Sequence, residues 1–86
     1  MAKKMTITEI TDILTNKGWN KDRWGHLKIS SGDRNFRLKV QKTSVRLEVR
    51  AESIKEWVRI DGSYLKDINL VERNGKNFIK VGRRLL

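Results

Sequence analysis

The run from Asn35 to Arg50, NFRLKVQKTSVRLEVR, decides how this chain folds. Phe36, Leu38 and Val40, then Val45, Leu47 and Val49, occupy alternate positions, the period of side chains on one face of a pleated strand. Between them stand Arg37, Lys39 and Gln41, then Ser44, Arg46, Glu48 and Arg50. A reversal near Lys42-Thr43 sets Val40 opposite Val45 and Leu38 opposite Leu47, so both strands turn their apolar residues the same way. The second face of that sheet is then crowded with cations.

Upstream, HLKIS alternates in the same manner. Ser31-Gly32-Asp33-Arg34 reads as the turn that brings Ile29 opposite Phe36 and Leu27 opposite Leu38. Further back the period changes from two to that of a helix. Thr6 and Glu9 have capping-box spacing, and Met5 and Ile10 are spaced as a hydrophobic staple. Ile7, Ile10, Ile13 and Leu14 form an apolar stripe. Gly18 supplies a left-handed stop, and Trp19 is placed to fold back on Leu14. The expected helix runs from about Ile7 to Lys17.

Downstream, AESIKEWVRIDGSYLKD reads two ways. As a hairpin, Asp61-Gly62 is a type I′ turn that sets Val58 opposite Leu65 and Arg59 opposite Tyr64. As a helix, Ser53 and Glu56 form a second capping box, with Ile54, Trp57 and Val58 on one face. The alternating β-branched Val58 and Ile60 ahead of a strong turn favour the strand reading. Asn74-Gly75 is a plainer hairpin, with Leu70 facing Ile79 and Ile68 facing Val81.

The expected fold is therefore α+β: one N-terminal helix packed on an antiparallel meander sheet of five to six short strands, its curvature open. A helix must cover the apolar face, because an isolated sheet this small does not exclude water. With 86 residues there is room for one core, so residues 1–86 are read as a single basic domain. Residues 1–5 and 83–86 are expected to be flexible tails.

The chain has no cysteine, which excludes disulfides and thiolate metal sites and suits a reducing, cytoplasmic setting. No apolar run reaches membrane-spanning length, so no membrane partner is expected. Twenty Lys and Arg against ten Asp and Glu give a net charge of +10, a field that favours polyanions, DNA or RNA first. An acidic protein partner is the alternative.

In the proposed register, His26, Lys39 and Arg46 form one outward row, Lys28, Arg37 and Glu48 another, and Asn35 and Arg50 a third. Lys39 beside Arg46, with no acid between them, destabilises a sheet, and a phosphate backbone would relieve that repulsion. The plainer reading is that Lys and Arg keep the face soluble and discourage edge-to-edge pairing. Lys28, Arg37, Lys39, Arg46, Arg50 and Arg59 are the expected phosphate contacts. Trp24, Trp57 and Tyr64 are candidates for base stacking at the margin, although a Trp in so small a domain is more often core. The three central strands lack the aromatic stripe of an RRM.

A lone His26 without a convergent acid cluster is poor ground for a metal or a catalytic centre. No cofactor, metal or catalytic residue is expected. SSGDRN and ERNGKN lack the spacing of a phosphate loop and read as turns. The expected function is a non-enzymatic nucleic-acid-binding module with little sequence specificity. Its rival is a small adaptor or inhibitor that docks its basic face, or an edge strand, on an acidic protein.

Overall fold

The computed structural model describes residues 5–86. Helix α1 spans Ile7–Thr15 and opens with the expected capping box. Thr6 Oγ1 accepts from the Glu9 N–H at 3.1 Å, and Glu9 Oε1 accepts from the Thr6 N–H at 3.2 Å. Regular α-helix ends two residues before Lys17, because the chain tightens as it closes. The Gly18 N–H bonds the Thr15 carbonyl, and the Trp19 N–H reaches back to Leu14 at 3.0 Å. Gly18 permits this with φ +97°, the left-handed stop of a Schellman motif. Trp19 is thereby delivered into the core beside Leu14.

Five antiparallel strands follow in one sheet: β1 (Asn20–Lys21), β2 (Leu27–Ser31), β3 (Arg34–Val40), β4 (Ser44–Ala51) and β5 (Val58–Tyr64). The central register is the one set by alternation, with Ile29 opposite Phe36, Leu27 opposite Leu38, Leu38 opposite Leu47 and Val40 opposite Val45. A 3-10 turn, Leu65–Asp67, leads to a second, three-stranded sheet: β6 (Asn69–Arg73), β7 (Lys76–Val81) and β8 (Arg84–Leu85). Asn74 and Gly75 both have positive φ, as a type I′ turn requires, and Leu70 pairs with Ile79.

The core lies between these elements. Leu27, Leu38, Val45 and Leu47 from the first sheet meet Met5, Ile10, Leu14 and Trp19 from the helical segment and Ile68, Ile79 and Val81 from the second sheet. Each large aliphatic side chain hidden there contributes about 1.5–3 kcal/mol. The helix touches β1, β2 and β7, so helix and small sheet together cover one face of the large sheet.

Two expectations require correction. Asp61-Gly62 is not a turn but lies inside β5, which runs straight through it and pairs with β4. Val58 faces Val49 rather than Leu65, and Tyr64 faces Ser44 rather than Arg59. A type I′ turn needs positive φ at both central residues, and neither Asp61 nor Gly62 has it. The eight-residue β4 offers a far longer partner than a tight hairpin would. Residues 53–56 form a loop, not a helix: the Ile54 N–H closes on the Ala51 carbonyl, and Ser53 and Glu56 stand exposed.

The second correction concerns the tails. Instead of a flexible end, residues 84–85 pair with β7, and Leu86 and Ile79 exchange backbone hydrogen bonds of 2.8 and 2.9 Å. Asp61 holds the Gly82-Arg83 turn in place. Its carboxylate accepts from the Gly62 N–H at 2.8 Å and the Arg83 N–H at 3.0 Å, with Arg84 Nε at 3.9 Å. At the other end Met5 is buried, and residues 1–4 lie outside the described residues.

Candidate nucleic-acid interface

Because side chains alternate, the register that buries Leu38 and Leu47 turns their neighbours to the opposite face. Lys28, Arg37, Glu48 and Arg59 form one row across β2 to β5, continued by Asn20 on β1. Asn35 and Arg50 form the next row. On the other side lie Lys39, Arg46 and Gly62, and beyond them Ser44 and Tyr64. Six expected contact residues, Lys28, Arg37, Lys39, Arg46, Arg50 and Arg59, therefore share the face away from the helix.

Their surroundings divide them into two groups. Arg37 donates through Nε and Nη2 to Glu48 Oε1, at 2.8 and 2.7 Å. Glu48 is only 6% exposed and is the one buried charged residue among those described. Its burial is affordable because the guanidinium neutralises it, with the strength of a charge-assisted hydrogen bond. Arg37 also lies 4.5 Å from the centre of the Trp57 ring, and Arg50 lies 4.9 Å from it. Arg50 Nε is buried there without a hydrogen-bond partner.

Lys28 reaches Asp22 at 3.6 Å. Burial raises the Asp22 pKa, but N–H bonds from His26 and Trp24, with the nearby His26 and Lys28, outweigh it and hold the carboxyl below its usual range.

The second group is Lys39, Arg46 and Arg59. None of the described carboxylates lies within ion-pair distance of them. Lys39 and Arg46 face each other directly across β3 and β4. The β4–β5 pairing jumps between Leu47 and Glu48, leaving Ile60 as an extra residue on β5. That bulge changes the parity of β5 so that both Arg59 and Gly62 reach the outer face. Across from Arg46 sits Gly62, and the Arg59 guanidinium lies over it: a Cβ there would be 3.0 Å from Arg59 Nη2. Arg59 thus turns toward Arg46 rather than toward Glu48, whose oxygen Arg37 already holds.

The three candidate aromatics part company. Trp57 is half-buried against Arg37 and Arg50 and borders a depression of about 210 Å³ with Lys28 and Asn35. Tyr64 is 62% exposed and flanks a larger depression, about 410 Å³, with Arg46, Arg59, Gly62 and Gln41. Trp24, at 68% exposure, stands apart. It lines a hollow with Ile7, Thr8 and Thr11 of the helix, and Arg23 lies 4.9 Å from its ring. Trp24 falls outside the strand alternation because it sits in the Asp22–Gly25 turn, where Gly25 has φ +84°.

His26 accepts the Val40 N–H at Nδ1, 3.0 Å away, so its ring fastens the end of β3. Among the described residues, no three His, Cys, Asp or Glu side chains group as metal ligands do, and no helix is long and apolar enough to cross a membrane. Sequence reasoning missed the pairing of Arg59 with Gly62 and the burial of Glu48. Glu48 did leave a signal, as the lone acid in an otherwise cationic outward pattern.

The chain matches no family model, and neither curated proteins nor solved structures give a match. The basic face is therefore read from its own geometry.

Proposed function

We propose that this protein is a non-enzymatic nucleic-acid-binding module whose outer sheet face contacts the phosphate backbone with little sequence specificity. The observation that supports this reading most is the group Lys39, Arg46 and Arg59 on one face, with none of the described carboxylates within ion-pair distance of any of the three. Like charges directly opposite each other cost a sheet a few tenths of a kcal/mol, roughly, and folding draws nothing from the arrangement. A polyanion replaces that repulsion with charge-assisted hydrogen bonds and releases its own counterions. Lys28, Arg37 and Arg50 extend the field along the same face, and a backbone-directed field of this kind carries no base readout.

The rival occupant of the face is an acidic protein, which could also add a strand along the outer edge of β5, the last strand of its sheet. An NMR titration of the protein with short DNA and RNA at two salt concentrations separates the two. Amide shifts confined to β2–β5 and weakened by salt are the expected result. Shifts centred on the helix, or none at low salt, overturn the proposal. A specific protein band retained from nuclease-treated lysate, without oligonucleotide binding, supports the rival.

A further inference from the structure

We infer that the depression at the β4–β5 bulge is a pocket for one unpaired nucleotide, its phosphate between Arg46 and Arg59 and its base against Tyr64, so that the favoured ligand is single-stranded. The inference rests on the nucleic-acid reading above and narrows it.

The depression has about 410 Å³, within the range of small-ligand clefts. One wall is cationic. Arg46 and Arg59 both line it, and Gly62, opposite Arg46, makes room for the Arg59 guanidinium: a Cβ there would lie 3.0 Å from Arg59 Nη2 and 3.1 Å from the Val45 carbonyl oxygen. Two guanidinium groups so placed can grip the oxygens of one phosphate, the planar recognition at which Arg excels. Lys39, opposite Arg46, adds a third charge beside the site. Asp67 lies on the rim and leaves the local balance positive.

The lining also includes an aromatic ring. The Tyr64 ring is largely exposed, with Lys66 Nζ 5.8 Å from the ring centre. An exposed ring beside paired arginines is the arrangement on which an unstacked base settles. Polar groups complete the lining. Ser44 Oγ donates to Gln41 Oε1, which leaves the Gln41 amide N–H groups free to donate to a base edge. Trp57, by contrast, is engaged with Arg37 and Arg50, so Tyr64 is the ring open to a base. A duplex keeps its bases stacked inside, and only a single strand or a flipped nucleotide can present one to Tyr64.

The test compares the unmodified protein and its Tyr64→Ala variant for binding a fluorescein-labelled oligothymidylate and a duplex of equal length, at one low salt concentration. Tyr64→Ala is expected to weaken single-strand binding roughly tenfold, the effect of losing one base–aromatic stack, and duplex binding far less. Tyr64→Phe, which keeps the ring, is expected to recover most of the loss. In the unmodified protein, thymidine 5′-monophosphate should shift the Gly62, Ser63 and Tyr64 amides. Equal losses on both ligands, or no loss on the single strand, overturn the pocket while leaving the basic face standing. If the unmodified protein binds neither oligonucleotide, the pocket and the broader reading fall together.

Discussion

Neutralising Lys39 and Arg46 together, as Lys39→Gln with Arg46→Gln, should change how salt acts on binding. Both residues are half-exposed on the outer face, and neither has an acidic partner among the described residues, so the variant leaves no carboxylate stranded and should fold. For a single strand, log K falls by about 0.7 per neutralised phosphate for each decade of salt. If Lys39 meets one phosphate and Arg46 and Arg59 share another, they contribute a slope of about −1.4, or roughly a sevenfold loss between about 50 and about 200 mM salt. With Arg59 alone the slope is about −0.7 and the loss over the same span about threefold. The difference, about 0.7 in slope, holds whatever Lys28, Arg37 and Arg50 add. Fluorescence anisotropy with a labelled oligonucleotide at four or so salt concentrations measures it, with circular dichroism to confirm the fold. A slope unchanged in a folded double variant refutes the assignment of phosphates to these cations.

Other outcomes follow from the same geometry. Glu48→Ala strands the largely covered Arg37 guanidinium and should lower stability by about 3 kcal/mol, read from chemical denaturation. Asp61 carries a depressed pKa, owed first to the Gly62 N–H, opposed by burial, and assisted by the Arg83 N–H and the charges of Arg84 and Arg83. Its stabilisation is present above the unfolded value and lost as pH falls from about 4 through the lower folded one. Asp61→Asn should therefore melt earlier than the unmodified protein near neutrality, and the gap in Tm should close in acid. Asp67→Asn removes the one carboxylate at the nucleotide pocket and should tighten oligonucleotide binding severalfold at low salt, measured by anisotropy.

Alternation and turn chemistry made much of this fold legible. Three strands and their register followed from Leu27, Ile29, Phe36, Leu38, Val40, Val45 and Leu47, because a slip by one residue would expose the whole apolar set. The capping box at Thr6 and the Asn74-Gly75 turn were equally plain, since each rests on contacts a few residues apart. Asp61-Gly62 misled for a physical reason: the dipeptide suits a tight turn, but a long neighbouring strand and a carboxylate already bonded to residues 62 and 83 outweigh that preference. The third strand of the small sheet was hidden because nothing local marks Arg84-Leu85; its partners are Val81 and Lys80 and the distant Asp61. For the candidate site, rows within β2–β4 were readable, whereas the approach of Arg59 to Arg46 depends on a bulge that no pattern in the residues announces.

The division of labour in the pleat has a practical consequence for anyone wishing to redesign the molecule. Since neighbouring positions on β3 and β4 belong to opposite sides, the outward ones form a canvas that can be repainted, lysine for glutamine or arginine for threonine, while the oily interior goes undisturbed. Three spots resist the brush: Arg37 and Glu48, each of which needs the other, and Gly62 on neighbouring β5, where even one methyl would crowd its surroundings.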